Sequence, residues 1–192
     1  VASLVGSEMC IRDRFKSLLS ILSHDGLTDA YSGELMGNTG ETCALEYGIS
    51  RDESDAYSIR SHKLSAEGWE NGEIGKECVS MEELSIDEGI RMDVDMSTLI
   101  SLKPVFSEDG QVTAGNASQV SDGASAVLIA SEETAIRMGL PILARIVDYT
   151  TSGVEPNRVM SAPIPAVEEL LSRNKLNVCL LYTSPSPRDW LQ

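Results

Sequence analysis

The sequence predicts an α/β fold, and three features of its C-terminal half carry that expectation. Residues 124–130, A-S-A-V-L-I-A, form a short continuous apolar run, the composition of a strand buried on both faces of a parallel or mixed sheet. Ser131 then supplies a helix N-cap, and Gly139 with Pro141 stops that helix. Residues 143–149 make a second apolar run, after which Pro163 or Pro165 pre-sets a last helix with Ala166, Val167, Leu170 and Leu171 on one face. Strand, helix, strand, helix in that order is the pattern of an α/β sheet.

Composition bounds the rest. The chain has 192 residues, room for one or two domains around a buried core. Its 42% hydrophobic and 23% charged content is that of a soluble globular protein, and no apolar run approaches the roughly 18 residues of a membrane span. Fifteen basic residues against thirty acidic ones give a net charge of −15, which argues against nucleic acid or an anionic membrane as the main partner. Any anionic ligand must therefore be held by a local cation. Cys10, Cys43, Cys78 and Cys179 lie far apart with no C-x-x-C pairing, so neither a zinc site nor a compact disulfide framework is indicated, and a reducing, cytoplasmic location is expected.

Both ends differ in character from the middle. Residues 1–14 and 179–192 resemble peptides produced when sequencing-adapter DNA is translated, so they are read as non-native tails, the alternative being natural terminal extensions. Each tail is charge-balanced, which leaves the whole −15 in the intervening domain.

From the start of that domain, Phe15, Leu18, Leu19 and Leu22 share one helical face. Asn38 with Glu41 three residues on has the form of a capping box; Met36, Cys43, Ala44 and Tyr47 follow on one face, and Gly48 supplies a stop. Cys43 thus reads as a small buried hydrophobe. Ser50 with Glu53 is a second capping box, opening a longer helix in which Ala56, Ile59, Leu64 and Trp69 recur irregularly until Asn71-Gly72. His62 on that helix is given no role. Residues 73–95 are strongly acidic, relieved only by Lys76 and Arg91, and read as a solvated face; the spacing of their carboxylates fits no metal loop.

Residues 103–123 organise the chain. Val105-Phe106 and Val112-Thr113 flank Ser107-Glu108-Asp109-Gly110, a hairpin signal in which Gly is expected to take a positive φ. Residues 114–118, A-G-N-A-S, follow with almost no side-chain bulk, suited to close approach by a ligand or another chain. Lys103-Pro104 with Phe106, the D-G turn, V-T-A-G-N-A-S over 112–118, D-G-A-S-A-V over 122–127, and D-G-L-T-D-A-Y-S-G-E-L-M-G over 25–37 together resemble the thiolases, that is, acetyl-CoA C-acetyltransferases and 3-ketoacyl-CoA thiolases.

That resemblance covers about residues 25–175 and implies a fragment of the thiolase fold. Residues 15–123 would then be the loop domain and the segment leading out of it, 124–140 the last strand and helix of the N-terminal half, and 141–178 the first strand and helix of the C-terminal half. It also implies coenzyme A as substrate or product, with no metal. Leu27 and Met36 fall on positions lining the pantetheine-adenine path, although Leu35 stands where many members have His. Arg91 falls at the adenine-phosphate end, where a planar guanidinium pairs with phosphate oxygens, and Thr98 offers a hydroxyl to the same end. Phe106 would be an apolar wall, Ala114 a contact needing little bulk, and Ser118 a hydroxyl for a pantetheine amide. The bland alternatives are that Leu27 and Met36 are core, that Arg91 pairs with Asp93 or Glu88, and that the hairpin only packs.

No catalytic residue is assigned. Thiolases act through a cysteine that accepts the acyl group, a His that activates it and a second Cys that moves a proton, and none of their four catalytic segments is found in this sequence. Cys10 and Cys179 lie in the tails, Cys43 on a helix face and Cys78 in the acidic stretch, while His24 and His62 lack a G-H-P context. The expectation is part of an acyltransferase that forms or cleaves acetoacetyl-CoA or 3-ketoacyl-CoA, inactive as this chain, from a parent that assembles as a dimer or tetramer. The alternative is a non-catalytic thiolase-like module binding lipid, acyl-CoA or another protein. Sheet edges left unpaired would favour aggregation.

Overall fold

The computed structural model describes residues 20–81 and 84–178; both tails and the start of the amphipathic run at 15–23 lie outside these residues. Five α-helices are described: α1 (Met36–Tyr47), α2 (Arg51–Glu70), α3 (Met96–Ile100), α4 (Glu132–Met138) and α5 (Pro163–Asn174). A π-type turn at Leu22–Gly26 and 3-10 turns at Ile74–Glu77 and Pro156–Ser161 complete the regular elements.

Local rules account for most helix ends. Gly48 closes α1 in the left-handed region at φ 64°, and the next amide, Ile49 N, reaches back to the Ala44 carbonyl at 2.9 Å. Ser50 and Glu53 form the expected reciprocal box at the start of α2: the Ser50 hydroxyl accepts from Glu53 N at 3.3 Å, and the Glu53 carboxylate accepts from Ser50 N at 2.8 Å. Ser131 caps α4, Gly139 ends it at φ 64°, and Pro163 is the first residue of α5.

Two local expectations are corrected. The Asn38–Glu41 box does not form, because α1 already begins at Met36 with Leu35 at its N-cap, held by an antiparallel bridge to Thr28. Glu41 reaches across the molecule instead and accepts the backbone N–H groups of Gln111 and Val112 at 2.8 and 2.9 Å. The turn at Ser107 closes with Gly110 N donating to Ser107 O at 3.1 Å, yet Gly110 does not take a positive φ. What requires glycine there is contact: a Cβ would meet the Glu41 carboxylate.

The two apolar runs expected as strands are unpaired among the described residues. No β-ladder is present among the described residues, and the hairpin contributes one strand-type bond, Val105 N to Val112 O at 3.0 Å. Val127, Leu128 and Ile129 are 83, 77 and 71% exposed, and Leu143 is 95% exposed. A strand is stabilised by a neighbour that pairs its N–H and C=O groups, and these two runs pair neither with each other nor with the hairpin.

Burial is concentrated where the helices meet. Ala44, Ala66, Leu99, Ala135 and Leu171 are buried, and so are Thr39, Asp55, Thr113 and Ser161. The first helix packs on the 3-10 turn at Pro156–Ser161, joined by Arg158 to Glu46 at 2.6 Å. On α2 the buried and half-buried residues are Arg51, Ser54, Asp55, Ser58, Ile59, Ser61, His62, Leu64, Ser65, Ala66, Gly68 and Trp69, a helical band that is mostly polar. Of the irregularly spaced apolar residues of this helix, Ala56 is exposed while Ile59, Leu64 and Trp69 are half-buried.

The band begins with a charge pair that ties three elements together. Asp55, fully buried, accepts from Arg51 Nε at 2.7 Å and from Asn116 Nδ2 at 2.9 Å. The Arg51 guanidinium also donates to the Leu99 carbonyl at 2.6 Å and the Leu102 carbonyl at 3.2 Å, which secures the end of α3. Asn116 donates a second N–H to the Gln111 carbonyl at 2.8 Å and accepts from Thr113 N at 2.8 Å, so its amide is bonded on both ends. Gly115 lies directly on the Leu99 and Leu102 side chains, where no Cβ fits.

Asp55→Ala leaves the Arg51 guanidinium and the Asn116 amide without their shared partner, and is expected to cost about 3–5 kcal/mol, read from the midpoint of urea unfolding. A stability unchanged within about 1 kcal/mol would contradict this. Glu53 is held below the usual carboxylate range by the Ser50 backbone and then its hydroxyl, and Asp95 by the Thr98 hydroxyl, the Thr98 backbone and then Ser97. Both pKa values are lowered on folding, so this stabilisation is present above the unfolded values near 4 and is lost as pH falls through the folded ones. Helical circular dichroism in mild urea should therefore hold at neutral pH and fall below about pH 4, with a shallower acid limb in Glu53→Gln and Asp95→Asn.

Candidate functional site

A groove of about 560 Å³ opens between the polar stripe of α2 and the small-residue segment that Asn116 anchors. Ser58, His62 and Ser65 form one wall, Ala114 to Gln119 the other, and an arm of the acidic stretch, with Asp87, Gly89 and Arg91, rims it. The groove follows from the network described above. The carboxylate of Asp55 holds the segment at 111–116 against α2, and the lack of bulk at Ala114, Gly115 and Ala117 leaves space beside it.

Four of the seven expected site residues meet here: Arg91, Thr98, Ala114 and Ser118. Arg91 is exposed and is the only Lys or Arg among the described lining residues; its guanidinium makes no ion pair with Asp93 or Glu88. A cation with no ion pair among the described residues, in a chain of net charge −15, is a place for an anionic group. Thr98 is partly committed elsewhere: Asp95, the N-cap of α3, accepts from its backbone N–H at 2.7 Å. Ala114 and Ser118 are exposed at the groove wall.

The other three lie apart. Leu27 and Met36 line a second cavity of about 370 Å³, closed on its far side by Gly153, Val154, Pro156, Val159 and Ala162. Phe106 lines neither space. Its ring covers Gly37 on α1, where a Cβ would overlap it.

Sequence reasoning passed over Arg51, Asp55 and Asn116, which build the groove, and His62, which lines it and accepts the Arg91 backbone N–H on Nδ1 at 3.2 Å. A signal was available: Arg51, Asp55, Ser58, His62 and Ser65 recur at helical spacing as polar residues. A search for apolar periodicity does not register such a stripe.

Among the described residues no group of three or more His, Cys, Asp or Glu is arranged to hold a metal, and no helix is long and apolar enough to cross a membrane. Cys43 is half-buried on α1 and Cys78 is exposed.

Comparison with known proteins agrees with the motif reading. Residues 9–133 match the family model of the thiolase N-terminal domain. A Staphylococcus aureus (strain COL) protein described as a probable acetyl-CoA acyltransferase is 37% identical over 169 residues, covering 83% of this chain and 43% of the relative. Among solved structures, the Bacillus anthracis acetyl-CoA acetyltransferase aligns with a TM-score of 0.77 at 33% identity, over 86% of this chain and 44% of its own. A human mitochondrial 3-ketoacyl-CoA thiolase in complex with CoA aligns at 0.76 and 37% identity, over 80% of this chain and 40% of its own. A thiolase from Ascaris suum in complex with coenzyme A aligns at 0.79 and 34% identity, over 84% and 43%. The chain thus spans less than half the length of the relatives it matches. Over that span its fold is that of the thiolases, and the chain belongs to the thiolase family.

Proposed function

We propose that the groove receives the nucleotide end of coenzyme A, and that this chain is the coenzyme-facing part of an acyltransferase that forms or cleaves acetoacetyl-CoA or 3-ketoacyl-CoA. The observation that carries the reading is convergence: Arg91, Thr98, Ala114 and Ser118 come from separate stretches and line one groove, and the Arg91 guanidinium has no ion pair among the described residues. The residue types suit the ligand. A guanidinium pairs with phosphate oxygens, Ser118 can bond an amide of pantetheine, and the small residues let a thin chain lie close to the backbone. Leu27, Met36 and Phe106 lie off the groove, and the reading gives them to the pantetheine arm.

The chemical step is assigned to residues outside this chain. Neither described cysteine is hydrogen-bonded to a histidine: His24 pairs with Asp25 and His62 with the Arg91 backbone. A thiol without such a base lacks the activation that acyl transfer requires. The chain by itself is accordingly inert, and the parent enzyme is a cytoplasmic homo-oligomer in which residues 15–123 form the loop domain and 124–178 join its two halves.

Calorimetric titration with coenzyme A tests the binding reading. Weak binding is expected, with Arg91→Ala lowering affinity roughly ten-fold through loss of charge-assisted bonds, and Ser118→Ala lowering it less. Absence of binding, or binding indifferent to both changes, would contradict it. In a thiolysis assay with acetoacetyl-CoA and coenzyme A the chain is expected to show no turnover; measurable turnover would overturn the assignment of catalysis to other residues.

A further inference from the structure

We propose that His62 and Gln119 are positioning residues, pinning the arm that carries Arg91 across the groove. The proposal rests on the coenzyme reading only for the purpose of the arm; the pinning itself follows from geometry. Between Leu84 and Val94 no residue is fully buried; the apolar footing of the arm on the groove is the half-buried Ile90 and Val94. Internally it is turned by Asp87, whose carboxylate accepts from Gly89 N at 2.8 Å. A hydrogen bond and a close contact tie its backbone to the two walls. His62, half-buried on α2, accepts the Arg91 backbone N–H on Nδ1, a bond between residues 29 positions apart. Gln119, on the opposite wall, lays its side-chain amide against Gly89, where an added Cβ would force that amide to move.

These contacts act on Arg91 through its backbone. The Arg side chain is long and many-jointed, and its guanidinium reaches a defined place only if its Cα is fixed. A bond to the residue's own N–H does this without engaging the guanidinium, which stays free for an anion. The imidazole can accept at Nδ1 only when its proton sits on Nε2, so the pin requires that tautomer. Gly89 matters for the same reason as Gly110, since a neighbouring side chain occupies the space of its missing Cβ.

Amide hydrogen exchange of the full chain, without ligand, tests the pinning. His62→Phe keeps a ring and removes the acceptor, and should speed exchange at the Arg91 amide roughly five-fold, the value of one ordinary hydrogen bond. His62→Asn, whose Oδ1 can accept, should keep most of the protection. Gly89→Ala, which displaces Gln119, should also speed Arg91 exchange. The Thr113 amide, bonded to Asn116, serves as the fold control and should not change in any of the three. Unchanged Arg91 exchange in His62→Phe would overturn the proposal, and so would equal loss at Thr113, which would mean general loosening. Calorimetry adds the functional side: His62→Phe should weaken coenzyme A binding, the double variant with Arg91→Ala should be no weaker than Arg91→Ala alone, and binding of pantetheine, which has no nucleotide, should not move. Losses that multiply would count against His62 acting through Arg91. If the unaltered chain binds no coenzyme A, the functional reading falls, and the exchange result still decides whether His62 holds the arm.

Discussion

The carboxylate of Asp55 is shared between the guanidinium of Arg51 and the amide of Asn116, and the groove depends on that sharing. A buried charge is costly unless paired and fully bonded. Here both carboxylate oxygens have a partner, and each partner carries the connection further: Arg51 to the carbonyls that close α3, Asn116 to both sides of its own turn. One side chain near the start of α2 thereby sets where the small-residue segment lies. Leu99, packed beneath Gly115, supplies the apolar part of the same joint.

This design separates holding from receiving. The residues that fix the groove, Arg51, Asp55 and Asn116, satisfy one another, while those proposed to meet a ligand, Arg91 and Ser118, stand exposed with capacity to spare. The division is physically sensible in so acidic a chain. A cation drawn into the internal network would be unavailable to phosphate, and a cation paired with Asp93 or Glu88 would be largely neutralised. Thr98 is the intermediate case, tied to the Asp95 cap through its backbone N–H while lining the groove.

Helix ends set by short-range chemistry were legible from the residues alone: Gly48, Gly139, Ser131, Pro163 and the Ser50–Glu53 box each act within one turn of chain. Features that depend on distant partners were not. Residues 124–130 and 143–149 have the composition of strands, but a strand forms only against a neighbour, and none of the described residues supplies one. The Glu41 side chain left its expected cap because two amides some 70 residues away, at Gln111 and Val112, bind it from across the molecule. The site was read in a similarly mixed way. Arg91, Thr98, Ala114 and Ser118, each read from a motif position, line one groove in the structure, whereas a lone helical histidine such as His62 carries no local signature. Its meaning lies in a backbone N–H 29 residues on.

Amide chemical-shift mapping of the full chain during titration with coenzyme A puts the central claim, that the Asp55-held groove is the coenzyme site, to its most direct test. Shifts concentrated at His62, Arg91, Ala114 and Ser118, with α5 nearly silent, are the predicted result. Shifts that spare these residues and gather on α5 would contradict it.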